Sequence, residues 1–164
     1  MIRLPKSIDY EEVPLEKRYR AATRSLSARI GALYGRAVEE FGDDALDLIR
    51  SVSLEHARDL AKELCGDNPQ HDAKSATLCL AHLLGLVGME VEAMEISPQR
   101  ARIRIRQCLY RITRPELCQA RLALESEFIR TLNADLTFEI EQCAARGDEA
   151  CVFRIALQHR RLRR

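Results

Sequence analysis

Apolar residues recur in steps of three and four from Glu16 to Phe41. Tyr19, Ala22, Leu26, Ile30, Leu33, Tyr34, Ala37, Val38 and Phe41 mark one face of a long helix. Gly31 and Gly35 sit one turn apart inside it. A helical glycine costs about 1 kcal/mol against alanine. The pair therefore predicts close approach of another element, and the helix that carries it offers one surface for a second copy of the chain. Gly42 ends this helix and Asp43 is placed to cap the next, whose inward stripe is Leu46, Ile49, Val52, Leu60 and Leu64. Gly66-Asp67-Asn68-Pro69 is a turn. Asp72 then caps a third helix to about Val87, with Ala76, Cys79, Leu80, Leu83 and Leu84 inward.

At Gly88 the period changes from helical to alternating. Met89 to Ile96 reads as a strand, and Pro98 falls in the turn that follows. Over Ala101 to Tyr110, Ala101, Ile103 and Ile105 alternate with Arg102, Arg104 and Arg106, the signature of a half-buried strand. Pro115 opens another helix, with Leu117, Ala120, Leu124, Phe128 and Ile129 inward, and Asn133-Ala134-Asp135 breaks it. Leu136 to Cys143 is a strand. Leu136, Phe138 and Ile140 take one face; Thr137, Glu139, Glu141 and Cys143 take the other. After a Gly147-Asp148 turn, Cys151, Phe153, Ile155 and Leu157 alternate again. The order is three helices, two strands, a helix and two strands. It predicts a single α+β domain over residues 16–158, with N-terminal helices packed on one face of an antiparallel sheet. Residues 1–15 read as an extended arm and 159–164 as a basic tail.

Composition narrows the function. Among 164 residues, 26 are basic and 25 acidic, so no global field recruits nucleic acid, and tryptophan, a good stacking platform for single strands, is absent. No apolar run reaches the ~20 residues that span a bilayer. Met1 to Lys6 lacks the apolar core of a signal peptide, so a cytoplasmic setting and reduced cysteines are expected. Cys65 and Cys79 fit as small core residues. The row Arg102, Arg104 and Arg106 suits either a carboxylate or phosphate ligand or a solvated outer face.

The other thiols suggest chemistry. The Gly147-Asp148 turn brings Cys143 and Cys151 together, seven residues lying between them. Cys118, in the first turn of a helix, can reach the same hairpin, and a helix N-terminus favours thiolate. Glu141 shares a strand face with Cys143. Cys118, Glu141, Cys143 and Cys151 thus form a candidate metal site of three sulfurs and one oxygen, suited to zinc, with an iron–sulfur cluster as the alternative. Cys108 is an alternative fourth ligand, or a nucleophile lining a pocket.

The stretch from Cys143 to Ile155, with Gly147, Asp148, Cys151 and Phe153, resembles the closing signature of the 4-vinyl reductase superfamily. The order of elements from Glu16 onward is similar too. The resemblance implies a small-molecule-binding domain, as in sensors of aromatic effectors, with a structural zinc held at Cys118, Glu141, Cys143 and Cys151. A second resemblance links Arg106-Gln107-Cys108-Leu109-Tyr110 and Cys151-Val152-Phe153-Arg154 to L-2-amino-thiazoline-4-carboxylate hydrolases. It implies Cys108 as nucleophile and Arg104 or Arg106 as carboxylate anchor. Two expectations follow. One is a sensing or carrier domain that holds a small apolar or aromatic ligand between helices and sheet, lined by Tyr34, Phe41, His82, Tyr110 and Phe128. The other is a cysteine-dependent hydrolase of a cyclic amide or thiazoline.

Overall fold

Two β-hairpins build one antiparallel sheet, and the helices lie on one of its faces. The structure, a computed structural model, describes residues 14–66 and 71–158. The basic tail, residues 67–70 and all but the end of the arm lie outside them. The elements are α1 (Leu15–Phe41), α2 (Asp43–Cys65), α3 (Ala73–Leu86), β1 (Val91–Ile96), β2 (Arg100–Ile105), α4 (Pro115–Arg121), α5 (Ala123–Leu132), β3 (Leu136–Gln142), a 3-10 turn (Ala144–Arg146) and β4 (Cys151–Leu157). This is the expected α+β arrangement. The helix that opens at Pro115 is two helices, hinged at Leu122.

Local chemistry sets most boundaries. Gly42 ends α1 at φ 60°, a left-handed conformation glycine adopts freely, and its N–H donates to the Val38 carbonyl at 2.9 Å. Asp43 does not cap α2. It sits with Asp44 inside the first turn, where the helix dipole favours carboxylates. Asp72 does cap α3, its side chain accepting from the Ser75 N–H at 2.7 Å. β2 stops at Ile105, five residues short of the alternation read from the sequence, and Arg111 beyond it takes φ 53°.

The strand order is β1-β2-β4-β3, every pair antiparallel. Ala101, Ile103 and Ile105 stand opposite Ile155, Phe153 and Cys151 and face the helices. Arg102 and Arg104 face away, where carboxylates meet them: Arg102 pairs with Glu141 at 2.6 Å, Arg106 with Glu92 at 3.1 Å, and Arg154 with Glu139. The arginine row is thus part of a cross-strand charge ladder on an outer face.

Between sheet and helices, Leu80, Ile103, Phe128, Ile129, Phe153 and Ile155 are at most 2% exposed. Side chains fill the layer where a pocket was expected. α1 is covered least. It buries only Ser27, Gly31 and Val38, while Leu26, Leu33 and Phe41, read as inward, are 59%, 65% and 66% exposed. Val52 in α2 is also exposed. A Cβ on Gly31 would lie 1.8 Å from the Tyr110 carbonyl oxygen, so this glycine permits the contact of α1 with the 106–114 loop. Gly35 has nothing within 4 Å of such a Cβ. The Gly31 face is therefore used within the chain.

Candidate functional site

The thiols converge because of one extra residue in β3. Ile140 pairs with Phe153, but Gln142 pairs with Val152, so Glu141 is the additional residue of a bulge. The bulge resets the alternation. Cys143, read from strict alternation as a neighbour of Glu141, turns to the core face, where it is 2% exposed. Glu141 points to the outer face and accepts from Arg102 Nε and Nη2 at 2.8 and 2.6 Å. Past the bulge, the Cys143 N–H donates to Asp148 Oδ2 at 2.7 Å, and Gly147 at φ 97° closes the turn.

Cys118 reaches this hairpin from α4. Its Sγ is 3.7 Å from Cys143 Sγ, and the Ala144 N–H points at Cys151 Sγ at 3.4 Å. All three are buried. Cys118 is past the open end of its helix, since its own N–H already bonds the Arg114 carbonyl. Its thiol is pushed up to about 12, first by burial and then by Cys143 beside it. Burial also raises Cys151, against the Ala144 N–H, which lowers it. Helix position does not make these groups thiolates; a bound cation would be needed for that.

The donor set fits such a cation in part. Zinc–sulfur bonds of ~2.3 Å in a tetrahedron place two sulfurs ~3.8 Å apart, close to the Cys118–Cys143 separation of 3.7 Å. Cys151 interacts with Cys143, and Cys108, half-buried in the loop after β2, is near enough to feel the Cys151 charge. Glu141 is not with them. Among the described residues, no three or more histidine, cysteine, aspartate or glutamate side chains already surround a cation position.

Beside the thiols lies a buried polar group that the sequence reading missed. Arg121 lies 4.7 Å above the Tyr110 ring and donates to Glu125. Glu125 is 1% exposed, and its Oε2 has no hydrogen-bond partner among the described residues. Burial opposes the Arg121 charge, but Glu125 and Tyr110 outweigh it and hold the guanidinium above its ordinary value. Burial likewise raises Tyr110, and Tyr34 is close enough to add to this. An arginine and a glutamate four apart read as a surface pair, so only the hinge at Leu122 and the fold around it reveal the burial.

The other residues expected to line a pocket do not meet. Phe128 is in the core, Phe41 is two-thirds exposed at the end of α1, and His82 is exposed on α3; only Tyr34 and Tyr110 are neighbours. Cys108 has no hydrogen bond to a histidine among the described residues, and its two candidate anchors, Arg104 and Arg106, both face Glu92. These arrangements give the hydrolase reading no support. A cleft of about 510 Å³ opens instead between the α4–α5 hinge and β3, an edge strand. Leu122, Phe138 and Ile140 form its apolar floor, and Gln119, Ser126, Arg50, Arg146 and Glu139, the last paired with Arg154, its polar rim. Phe138 stacks against Phe153, ring centroids 5.0 Å apart. Arg50 is held by Asp47 at 2.8 Å, whereas the Arg146 guanidinium has no ion pair among the described residues.

No protein-family model matches the chain, and no curated protein matches it in sequence. Solved structures do share its fold. The phenol-responsive sensory domain of the transcription activator PoxR, solved with phenol, superposes with TM-score 0.58 at 13% identity, over 80% of this chain and 74% of that one. A trafficking protein particle complex subunit 3 from Naegleria fowleri, covalently bound to palmitic acid, superposes with TM-score 0.55 at 11% identity, over 85% and 96%. At these identities the likeness is one of fold. No helix among the described residues is long and apolar enough to cross a membrane.

Proposed function

We propose that this chain is a small-molecule-binding domain with a sensing or carrier role, and that its ligand is a small apolar or aromatic molecule bearing an acidic group. The observation that carries the reading is the cleft between the α4–α5 hinge and β3. Its volume, about 510 Å³, is in the range of small-molecule sites, and its lining is more polar than apolar, with Arg50, Arg146 and Glu139 around the apolar floor. Among the described residues, Arg146 is the rim cation without an ion pair. The shared fold with a domain solved with phenol and a subunit bound to palmitic acid supports the same reading.

In this proposal, Cys118, Cys143 and Cys151 hold a structural zinc ion. The metal fixes the Ala144–Arg146 turn and, with it, the cation at the rim. Calorimetric titration with phenol, benzoate and palmitate tests the ligand. Binding of at least one is expected, with Arg146→Ala weakening the carboxylates roughly tenfold and phenol little. Absence of heat with all three, together with unchanged thermal midpoints, refutes the reading. Metal analysis of protein purified without chelators tests the zinc: one equivalent is expected, lost in Cys118→Ala and retained in Cys108→Ala. A brown, iron-containing protein would point to a cluster instead.

A further inference from the structure

A second cleft, of about 580 Å³, lies between the first half of α1 and the loop after β2. α1 contributes Lys17, Arg20 and Arg24 at steps of three and four, so the three cations share one helix face. The short side chains of Ala21, Ser25 and Ala28 form the floor, and Arg111 borders it from the loop. Four cations and no carboxylate line this cleft. Arg20 is partly satisfied, since Glu16 pairs with it at 3.0 Å, both side chains being largely exposed. Arg20 and Arg24 also border a smaller cavity that holds Glu16 and Glu90. Lys17, Arg24 and Arg111 have no ion pair among the described residues. The outer face of the sheet is different: there Arg102, Arg106 and Arg154 each meet a carboxylate. Cations gathered without partners repel one another, and a bound anion removes that repulsion.

The backbone gives an independent sign. Arg111 takes φ 53°, the one positive φ outside glycine among the described residues. That conformation suits glycine or asparagine, and a long side chain is uncommon there. The turn itself needs only the Arg111 N–H, which donates to the Cys108 carbonyl at 3.3 Å, a bond that asparagine makes equally well. The guanidinium is exposed, and no hydrogen bond or ion pair among the described residues holds it. Arginine at this position is therefore explained by what enters the cleft and not by the fold. Guanidinium groups bind phosphate oxygens through a planar fork of donors. Lys17 and Arg24 are seven residues apart, ~10 Å along the helix, which exceeds one phosphate and suits two linked ones. No aromatic ring lines the cleft, so it offers no platform for a stacked base.

We propose that this cleft binds a soluble anion of the diphosphate class, held by Lys17, Arg20, Arg24 and Arg111. The site shares no residue with the cleft at β3. It therefore stands or falls independently of the ligand proposed there.

Calorimetric titration of the full chain with inorganic pyrophosphate tests it. A dissociation constant of roughly 0.1 mM is expected at about 50 mM salt, weakening about fivefold at about 200 mM as the charges are screened. Orthophosphate should bind roughly tenfold more weakly than pyrophosphate. Arg24→Ala and Arg111→Asn should each weaken pyrophosphate roughly tenfold. Arg111→Asn should also keep or raise the thermal midpoint, because asparagine tolerates the left-handed backbone. Arg146→Ala, at the other cleft, should leave pyrophosphate binding unchanged. Absence of heat with pyrophosphate overturns the proposal, and so does binding indifferent to both Arg24→Ala and Arg111→Asn. A lower midpoint in Arg111→Asn would show that the arginine serves the fold, and overturns its assigned role. Co-sedimentation with vesicles containing phosphatidic acid, when pyrophosphate neither binds nor competes, overturns the proposal in favour of a membrane surface.

Discussion

Gly31 and Gly35 provide a paired test of the packing of α1. They are one turn apart in the same helix and look alike in the sequence. Alanine at either position gains about 1 kcal/mol of helix propensity. At Gly35 nothing lies within 4 Å of the new Cβ, so the gain should be kept. At Gly31 the Cβ would be 1.8 Å from the Tyr110 carbonyl oxygen, and the obstacle is backbone rather than a side chain that can swing away. Relief needs more than about 1 Å of retreat by α1 or by the loop. Overpacking of this kind typically costs 1–3 kcal/mol, and a rigid backbone obstacle places it near the upper end. Net destabilisation of about 2 kcal/mol is expected for Gly31→Ala, against stabilisation of about 1 kcal/mol for Gly35→Ala. Urea denaturation at fixed protein concentration measures both. With a slope of about 2 kcal/mol per molar, the two midpoints should differ by about 1.5 M. Equal stabilisation by both alanines would show that α1 does not rest on the Tyr110 carbonyl.

Two further predictions concern buried charge. Glu127 is 5% exposed and accepts from Arg130 Nε at 2.7 Å and Arg58 Nε at 2.8 Å. Arg130 first, and then Arg58, hold its carboxyl below the ordinary glutamate value. The folded pKa is the lower one, so its contribution is complete above the unfolded value of about 4.3 and is lost as pH falls through the folded one. Glu127→Gln should cost about 1 kcal/mol at neutral pH, the exposure of both arginines limiting it, and urea midpoints should then fall less steeply with acid than in the wild type. Arg121→Ala should cost 3–5 kcal/mol in the same assay by leaving Glu125 buried without its cation, whereas Arg121→Met/Glu125→Leu should recover most of the loss. A mild Arg121→Ala would show that the pair is solvated.

What could be read from the sequence was what depends on near neighbours. The helical periods, the Asp72 cap and the Gly42 terminus are local chemistry; the cap and the terminus stand where the pattern put them, while the period located the helices but neither the break at Leu122 nor the exposure of Leu26, Leu33 and Val52. The convergence of Cys118, Cys143 and Cys151 was legible because a Gly-Asp turn draws its flanks together. The role of Glu141 was not, because an extra residue in a strand leaves no mark on composition while reversing every later side chain. Gly31 and Gly35 differ only in what lies across from them, and that belongs to a loop some 80 residues away. The stripe of α1 was correctly seen as a helix face. Periodicity reports that a face is apolar and says nothing of which surface meets it.

The bulge at Glu141 also gives β3 a kind of gearing. Upstream of it, the strand's teeth mesh with the sheet; downstream, the hairpin tip turns on its own count. Straightening the strand at full length, so that Glu141 paired with Val152 and Gln142 with Cys151, would leave Leu136 to Ile140 in register yet rotate the Cys143 sulfur from the interior to the arginine side. The tip is thus aimed by register alone, without altering the chemical identity of a single side chain.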